Sequence, residues 1–297
     1  MKKVIFLALI CLVTVSCSKE RVDNMVSIVL SEEVVAPVMV HVDGFSVEQG
    51  EFSGTRTSVD SYTRVKALTL AFYKGDGTEV YKHTQFRSVA STYTTFGEFA
   101  CSLGLGSYTM VVLGYGSESE ISLTSPTMAA YTEDIVRETF AATQEVNITN
   151  YDTKNLSATL DRIISLVLVN STDGRTADVN SIRVTFSGGS KSFNPTTGLA
   201  TSNTGFSNTV TTSTAVGSST STGCYLFLNT DEQTMNVTIE TLDADNHVLF
   251  SKTVNNVPLR RNRYTTMSGA MYSGSSSTSA GSFELNDGWL TGNSVGF

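Results

Sequence analysis

Short segments in which every second residue is apolar run along most of this chain, and glycine-containing turns separate them. In Val38–Asp43 every second residue is valine, and Met235–Leu242 alternates in the same way. A period of two is typical of a β-strand with one buried face, and turns about every 8–12 residues are typical of sandwiches and barrels. Only 16% of the residues are charged, and Thr, Ser and Val are abundant, which also favours strands. The sequence therefore predicts an all-β protein.

Four stretches carry more specific predictions. Ile163–Val169 is apolar except for one serine, which predicts a central strand covered on both faces. Lys74–Gly77 predicts a tight turn between two strands of a hairpin. Pro126–Phe140 is the one stretch whose apolar spacing approaches a helical period. Gly44–Val59 is polar and contains glycine, which predicts a loop.

The chain length of 297 residues predicts two domains rather than one. Strand spacing favours two β-sandwiches with a boundary near Asn150. We place the N-terminal sandwich at residues 25–150 and the C-terminal sandwich at residues 151–272. A Ser-rich linker and the C-terminal tail occupy residues 273–297.

The N-terminus has the pattern of a lipoprotein signal. Met1–Lys3 is basic, and Val4–Val15 is almost entirely apolar. That run is too short to span a bilayer roughly 30 Å thick, as expected for a signal peptide. A small residue and then Cys17 follow, which is the arrangement that lipoprotein signal peptidase needs after the thiol has received a diacylglyceryl group.

We therefore predict a signal peptide at residues 1–16, lipidation at Cys17 and a polar lipidated tether at residues 17–24. Thr14 stands where such signals usually have leucine, so ordinary secretion with cleavage elsewhere is the alternative. No later segment resembles a transmembrane helix, and the lipid is thus the expected membrane anchor.

The net charge excludes one class of partner. The 20 basic residues less the two lysines of the signal peptide leave 18 against 28 acidic residues, a net charge of −10. A chain this acidic lacks the basic surface that binds nucleic acid.

No pattern in the sequence indicates catalysis, a metal or a cofactor. The three histidines, His41, His83 and His247, stand apart from one another and from any cysteine, unlike metal ligands. Asp243–Asn246 resembles a fragment of a calcium loop, but the glycine and the late glutamate are missing, so a hairpin turn explains it better. We expect no enzymatic activity, no metal and no cofactor.

Two cysteines remain after Cys11 leaves with the signal peptide and Cys17 is lipidated. Cys101 and Cys224 are far apart in the sequence. We interpret them as separate small apolar residues, with a disulfide bond between them as the alternative.

Several segments, taken in order, resemble the fimbrillin superfamily, the lipoprotein subunits of type V pili. The similar segments are VDGFSVEQGEFSGTRT (Val42–Thr57), VKALTLAFYKGDGTEVYKH (Val65–His83), LDRIISLVLVNSTD (Leu160–Asp173), FNPTTGLA (Phe193–Ala200), VPLRRNRYTTMSGAMY (Val257–Tyr272) and FELNDGW (Phe283–Trp289). Together they extend over most of the chain after the signal peptide.

This resemblance implies two transthyretin-like β-sandwich domains and a stalk, tip or anchor role in a fimbrium at the outer membrane and cell surface. In polymerising members an extracellular Arg-specific protease cuts the loop after the first strand. The strand is lost, and a strand of a neighbouring subunit fills the groove. Strand addition satisfies the unpaired backbone groups of such a groove.

By this resemblance we predict proteolytic processing after Arg56, in the predicted loop, if the chain is a polymerising subunit; an uncleaved, lipidated chain would indicate an anchor. Arg64 is the alternative, but it adjoins a strand and is expected to be less accessible. Val38–Val42 is then the strand that leaves. The tail, residues 282–297, is the candidate donor, and its alternative place is against its own C-terminal domain.

The first functional hypothesis is a fimbrial subunit or fimbrial adhesin that serves cell adhesion. Its expected partners are other fimbrial subunits through donor-strand exchange, the outer membrane through the lipid, and a host or bacterial surface receptor. The alternative is a surface glycan-binding lipoprotein. Such a protein needs exposed aromatic platforms, and Trp289 is the single tryptophan, although tyrosines could build a site. An exported hydrolase is a third hypothesis, and no motif supports it.

Overall fold

The computed structural model describes residues 34–47, 55–272 and 284–288. These residues form β-strands and one 3₁₀ turn at Ala90–Thr92, so the expected all-β fold is confirmed. None of them belongs to a helix long and apolar enough to cross a membrane. The strands are β1 (Ala36–Val47), β2 (Thr55–Thr57), β3 (Ala67–Lys74), β4 (Glu79–Phe86), β5 (Glu98–Leu103), β6 (Gly106–Tyr115), β7 (Ser122–Ser125), β8 (Met128–Ala130), β9 (Thr139–Ile148), β10 (Lys154–Arg162), β11 (Ser165–Ser171), β12 (Ser181–Phe186), β13 (Ser192–Asn194), β14 (Leu199–Ala200), β15 (Phe206–Thr211), β16 (Ser221–Leu226), β17 (Glu232–Leu242), β18 (Val248–Arg260), β19 (Tyr264–Gly269) and β20 (Glu284–Gly288).

The first sheet has the order β2-β1-β10-β9-β6-β3-β4, and β5 also pairs with β1. The hairpin of β3 and β4 turns at the predicted glycine-containing segment. Alternate residues of β3 face opposite ways, as the pleat requires. Leu68, Leu70 and Phe72 lie in a first core, whereas Ala71 and Tyr73 lie in a second. Both faces of β3 are therefore buried.

The second sheet is small and has the order β14-β13-β8-β7. Two of its strands precede β9 in the chain and two follow β12, so it connects the two halves of the sequence. Leu123, Ala129 and Phe193 from this sheet pack in the second core together with Phe227. The rings of Phe193 and Phe227 stack with centroids 4.2 Å apart.

The third sheet, β16-β11-β19-β20, and the fourth sheet, β15-β12-β17-β18, share a third core. Val167 and Val169 of β11 meet Ile182 and Val184 of β12 there. β11 pairs with β16 on one side and β19 on the other, and all its residues except Asn170 are buried. The predicted central strand is thus confirmed.

The predicted helix over Pro126–Phe140 is wrong. This stretch contains β8 and the first residues of β9, joined by irregular chain. β8 pairs with β7 and β13, and the backbone N–H of Tyr131 donates to the carbonyl of Lys191. These partners are distant in sequence, and their pairing outweighs a local pattern that only approached a helical period.

The expected boundary near Asn150 does not separate the sheets. Asn150 lies in a turn, but the strand after it, β10, pairs with β1 and β9 in the first sheet. The chain leaves the first sheet for the last time after Arg162, at Ile163–Ile164. A turn within a sheet and a turn between domains have the same local sequence, which explains the error. The division into two domains stays a prediction.

The two remaining cysteines are free thiols. Cys101 lies in β5 of the first sheet and Cys224 in β16 of the third sheet. Cys224 is buried in the third core, and Cys101 packs against the first. Burial raises the pKa of Cys101 to about 11 and that of Cys224 to about 12, so both thiols stay protonated at neutral pH.

Candidate functional site

The strand β1 is enclosed by partners along both edges. On one edge it runs parallel to β10, from Val38 opposite Lys154 to Ser46 opposite Asp161. On the other edge it pairs first with β5 and then with β2. Backbone N–H and C=O groups on both sides of β1 are therefore hydrogen-bonded. Removing β1 would leave two facing strand edges with unpaired groups.

The inward face of β1 is fully buried. Five of its side chains lie in the first core, and each is at most 1% exposed. The alternation predicted for the valines is confirmed. Burial of one valine contributes roughly 1.5–3 kcal/mol, so this face is a large part of the first core. The five residues are Ala36, Val38, Val40, Val42 and Phe45.

A β-bulge lets Phe45 join that face. The register against β10 shifts by one residue between Val42 and Gly44. Gly44 has a φ of 154°, a conformation that favours glycine. The ring centroid of Phe45 then lies 4.8 Å from that of Phe140. A Cβ on Gly114 would lie 2.8 Å from Cε1 of Phe45, so a glycine is needed beneath the ring.

The predicted processing residue, Arg56, lies in a strand and not in a loop. Arg56 belongs to the short strand β2, an edge strand of the first sheet, and it pairs with Ser46 of β1. The loop predicted over Gly44–Val59 is therefore wrong at both ends, because β1 continues to Val47 and β2 begins at Thr55. Residues 48–54 lie outside the described residues. Cleavage after Arg56 stays a prediction, now at a sheet edge.

The alternative processing residue, Arg64, contacts a buried ion pair. Its Nε lies 3.7 Å from Oε2 of Glu138, and its side chain is about half exposed. Glu138 and Arg162 form the buried pair, with 2.9 Å between Oε1 and Nη2 and side chains only 5% and 3% exposed. Losing one partner of such a pair leaves an uncompensated buried charge. Arg64 stays the alternative processing residue.

Tyr62 connects this ion pair to β1. Its hydroxyl donates to Oε1 of Glu138 at 2.8 Å and accepts from Nη2 of Arg162 at 3.1 Å. Its ring packs against Phe45 and Phe140, with centroids 5.5 and 5.6 Å away. Burial and the Glu138 carboxylate raise the pKa of Tyr62, which keeps the hydroxyl protonated as a donor. The chain directly after β2 is thus fastened to the first sheet.

Little in the sequence indicated this network. Arg162 was part of a recognised segment, but Glu138 fell in the stretch misread as helical, and Tyr62 followed a predicted loop. Arg162 also donates from Nη1 to Oδ1 of Asn262, 3.2 Å away, in the loop before β19. The network therefore reaches from β1 to the C-terminal half.

The tail strand β20 lies at an edge. It pairs antiparallel with β19, from Glu284 opposite Ser268 to Gly288 opposite Tyr264. Among the described residues it has no partner on its other side. This is the alternative placement of the tail, against its own C-terminal sheet. The linker at residues 273–281 lies outside the described residues, as do the predicted signal peptide, tether and lipidation site Cys17.

The acidic turn between β17 and β18 is accounted for by its own hydrogen bonds. Oδ1 of Asp243 accepts from the backbone N–H groups of Asp245 and His247 at 2.9 and 2.8 Å. These bonds, that of His247 first, lower the pKa of Asp243. Asp243, Asp245 and His247 lie close enough to hold a metal ion, but these contacts are those of an Asx turn. His41, by contrast, lies beside Glu98 on the exposed face of β1.

Solved structures resemble this chain over most of its length. A candidate adhesin from Bacteroides ovatus matches with a TM-score of 0.50 and 9% identity, over 84% of this chain and 96% of the other. A second candidate adhesin from the same species matches with a TM-score of 0.50 and 13% identity, over 82% and 88%. The fimbrial anchor protein Mfa2 from Porphyromonas gingivalis is 14% identical with a TM-score of 0.46, over 85% and 97%. At these identities the likeness concerns the fold.

Curated proteins give no match to the chain. A family profile does match, over residues 117–287, which extend from the segment before β7 into β20. This region includes the Glu138–Arg162 pair and all but the last residue of the tail strand, and it is more than half of the chain. The chain therefore belongs to DUF6562, a family of unknown function.

Proposed function

We propose that the chain is a type V pilus subunit or fimbrial adhesin, exported as a lipoprotein and assembled by strand exchange. Its two halves are proposed to be transthyretin-like sandwiches, and its place is the fimbrium at the outer membrane and cell surface. The observation that carries the proposal is β1: a strand near the N-terminus, paired on both edges, with five buried side chains and a predicted cleavage site close behind it.

Release of β1 would create a groove that selects its occupant. The groove would lie between β10 and β5, with hydrogen-bonding edges on both sides. Its floor would have pockets at alternate positions, now filled by Val38, Val40 and Val42. An extended segment with apolar residues at every second position satisfies both features. A strand of a neighbouring subunit is such a segment.

The position of Arg56 suits a cut that frees β1 alone. Arg56 pairs only with β1 among the described residues, so β2 loses its partner when β1 leaves. Tyr62, in contrast, is held by Arg162 of β10 and by Glu138, the residue before β9. A chain that begins at Thr57 thus keeps its anchoring contacts.

Cleavage at Arg56 can be tested on protein from the cell surface. We expect N-terminal sequencing of polymerised material to begin at Thr57. Arg56→Ala should abolish both this product and the high-mass ladder on gels, because β1 stays in its groove. Arg64→Ala is the matched control and should leave both intact. Ladder formation by an Arg56→Ala chain that still contains β1 would refute removal of β1 as the assembly step.

Lipidation at Cys17 has a separate test. Cys17→Ala removes the thiol that would carry the diacylglyceryl group, so the protein should leave the membrane fraction and lose labelling by a fatty-acid probe. Cys101→Ala is the control, and it should still be labelled. A Cys17→Ala protein that remains labelled and membrane-bound would contradict the lipoprotein assignment.

A further inference from the structure

A cavity of about 310 Å³ lies away from β1 and β20. One wall is the segment before β9, with Ile135 and Arg137. The other walls are the end of β15 with the residues after it, Val210–Thr214, and the start of β16, Thr220–Gly223. β15 and β16 are edge strands of the fourth and third sheets, so the cavity opens beside the third core. Its volume is at the lower end of the range for small-molecule sites.

Among the described residues that line the cavity, Arg137 alone is charged. Within the described part of the chain, nothing pairs with or hydrogen-bonds to its guanidinium group. The neighbouring carboxylates are engaged elsewhere, because Asp134 pairs with Lys191 and Glu133 accepts from Ser119. The site therefore presents a cation that the protein itself does not neutralise.

The backbone at Arg137 is fixed in place. Its carbonyl accepts hydrogen bonds from the hydroxyls of Tyr131 at 3.2 Å and Thr139 at 2.8 Å. Both donors are buried, and their hydroxyl oxygens lie 2.8 Å apart. A guanidinium group on such a fixed backbone position loses less freedom on binding an anion than one on a mobile loop.

The other walls offer hydroxyl and apolar groups. Seven of the lining residues are serines or threonines. Thr220 accepts from the hydroxyl of Tyr272 and Ser221 donates to Asn170, whereas Thr211 and Ser213 are exposed. Ile135 and Val210 supply half-buried apolar surface. The guanidinium group suits a carboxylate, and the serine and threonine hydroxyls suit the hydroxyls of a sugar ring. The apolar patch suits the C–H face of that ring.

We propose that this cavity binds an acidic monosaccharide unit, such as the terminal sugar acid of a glycan. The sugar carboxylate lies against Arg137, because the planar guanidinium group can donate two parallel N–H hydrogen bonds to the two carboxylate oxygens. The hydroxyls of the sugar face the Thr211–Thr214 wall. The net charge of −10 that remains without the signal peptide repels polyanions, so a ligand with a single charge fits better than a sulfated polymer or nucleic acid. This inference is independent of strand exchange.

The test is titration calorimetry on the full chain, purified from membranes in detergent. The probes are the methyl glycosides of glucuronic acid, galacturonic acid and N-acetylneuraminic acid, each compared with a neutral sugar of the same ring. We expect at least one acidic glycoside to bind at least tenfold more tightly than its neutral counterpart. Arg137→Ala should weaken that binding about tenfold or more, as expected for loss of a charge-assisted hydrogen bond.

Two further variants keep the result interpretable. Arg137→Lys retains the charge but loses the paired N–H donors of the guanidinium group. Its affinity for the acidic glycoside should therefore fall between those of the wild type and Arg137→Ala. Arg260→Ala, a half-exposed arginine outside the cavity, removes the same charge and should bind normally. Equal affinity for acidic and neutral glycosides, no binding of any acidic glycoside, or unchanged binding by a folded Arg137→Ala would overturn the proposal. Inorganic phosphate that binds as tightly as the sugar acid would overturn it too. Fimbrial assembly should be normal in all three variants.

Discussion

The first strand and the tail strand contrast in almost every respect. β1 has twelve residues, is paired on both edges and buries five side chains in a core. β20 has five residues, is paired on one edge and forms the last strand of its sheet. β1 is therefore part of the protein interior, whereas β20 extends the edge of the third sheet.

This difference indicates which strand can leave with the smaller loss of stability. Losing β1 exposes two strand edges and empties the first core along its length, so the remaining protein needs a replacement. Losing β20 returns one edge to solvent. A subunit built in this way would depend on a neighbour at its N-terminal groove and could spare its own tail. Variants in β1 and deletion of the tail test the two halves of that statement separately.

The largest effect is expected at the buried face of β1. Val40→Asp places a carboxylate in the first core without a partner and should reduce the free energy of unfolding by more than about 4 kcal/mol. Met39→Asp is the matched control, since Met39 is the next residue on the strand and is 41% exposed. It should change stability by no more than about 0.5 kcal/mol. Denaturant unfolding of both variants measures the difference. Equal losses would mean that β1 is not a core strand.

A smaller loss of stability is expected at the Glu138–Arg162 ion pair, which holds the segment after the predicted cleavage site against the first sheet. Arg162→Met leaves Glu138 buried without its partner and should cost about 3–5 kcal/mol in the free energy of unfolding. Adding Glu138→Gln should restore part of this loss, because the uncompensated charge disappears. Arg260→Met breaks the exposed pair with Glu232 and should cost at most about 1 kcal/mol. If the two arginine variants unfolded at the same denaturant concentration, the network would not anchor the Tyr62 segment.

The sequence was most informative where a short pattern matches one environment. Alternation in Val38–Asp43 identified the buried face of β1, and the apolar run at Ile163–Val169 identified a central strand. The bulge at Gly44 was missed, because one extra residue reverses the alternation and sends Phe45 inward. A glycine followed by an aromatic residue was the available signal.

Features that depend on distant partners could not be predicted in this way. The turn at Asn150 was recognised, but not that β9 and β10 belong to one sheet. Pairing between Glu138 and Arg162 arises only once β9 and β10 lie side by side. The cavity at Arg137 likewise combines a segment before β9 with β15 and β16, far along the chain. In each case tertiary pairing, and not local propensity, decides the outcome.

The smallest change in stability is expected for removal of the tail, and it tests the other half of the contrast. Deleting residues 282–297 removes β20 and its backbone pairs with β19, on one side only. Those hydrogen bonds are offset by the entropy of ordering the tail, so the free energy of unfolding should fall by about 1–2 kcal/mol at most. Deleting residues 289–297 keeps β20 and is the control. If the tail is the donor strand, the longer deletion should give a folded monomer that forms no polymer ladder, whereas the control should polymerise. Normal ladders from the longer deletion, or a monomer that no longer folds, would reject the tail as donor and leave it as a structural edge strand.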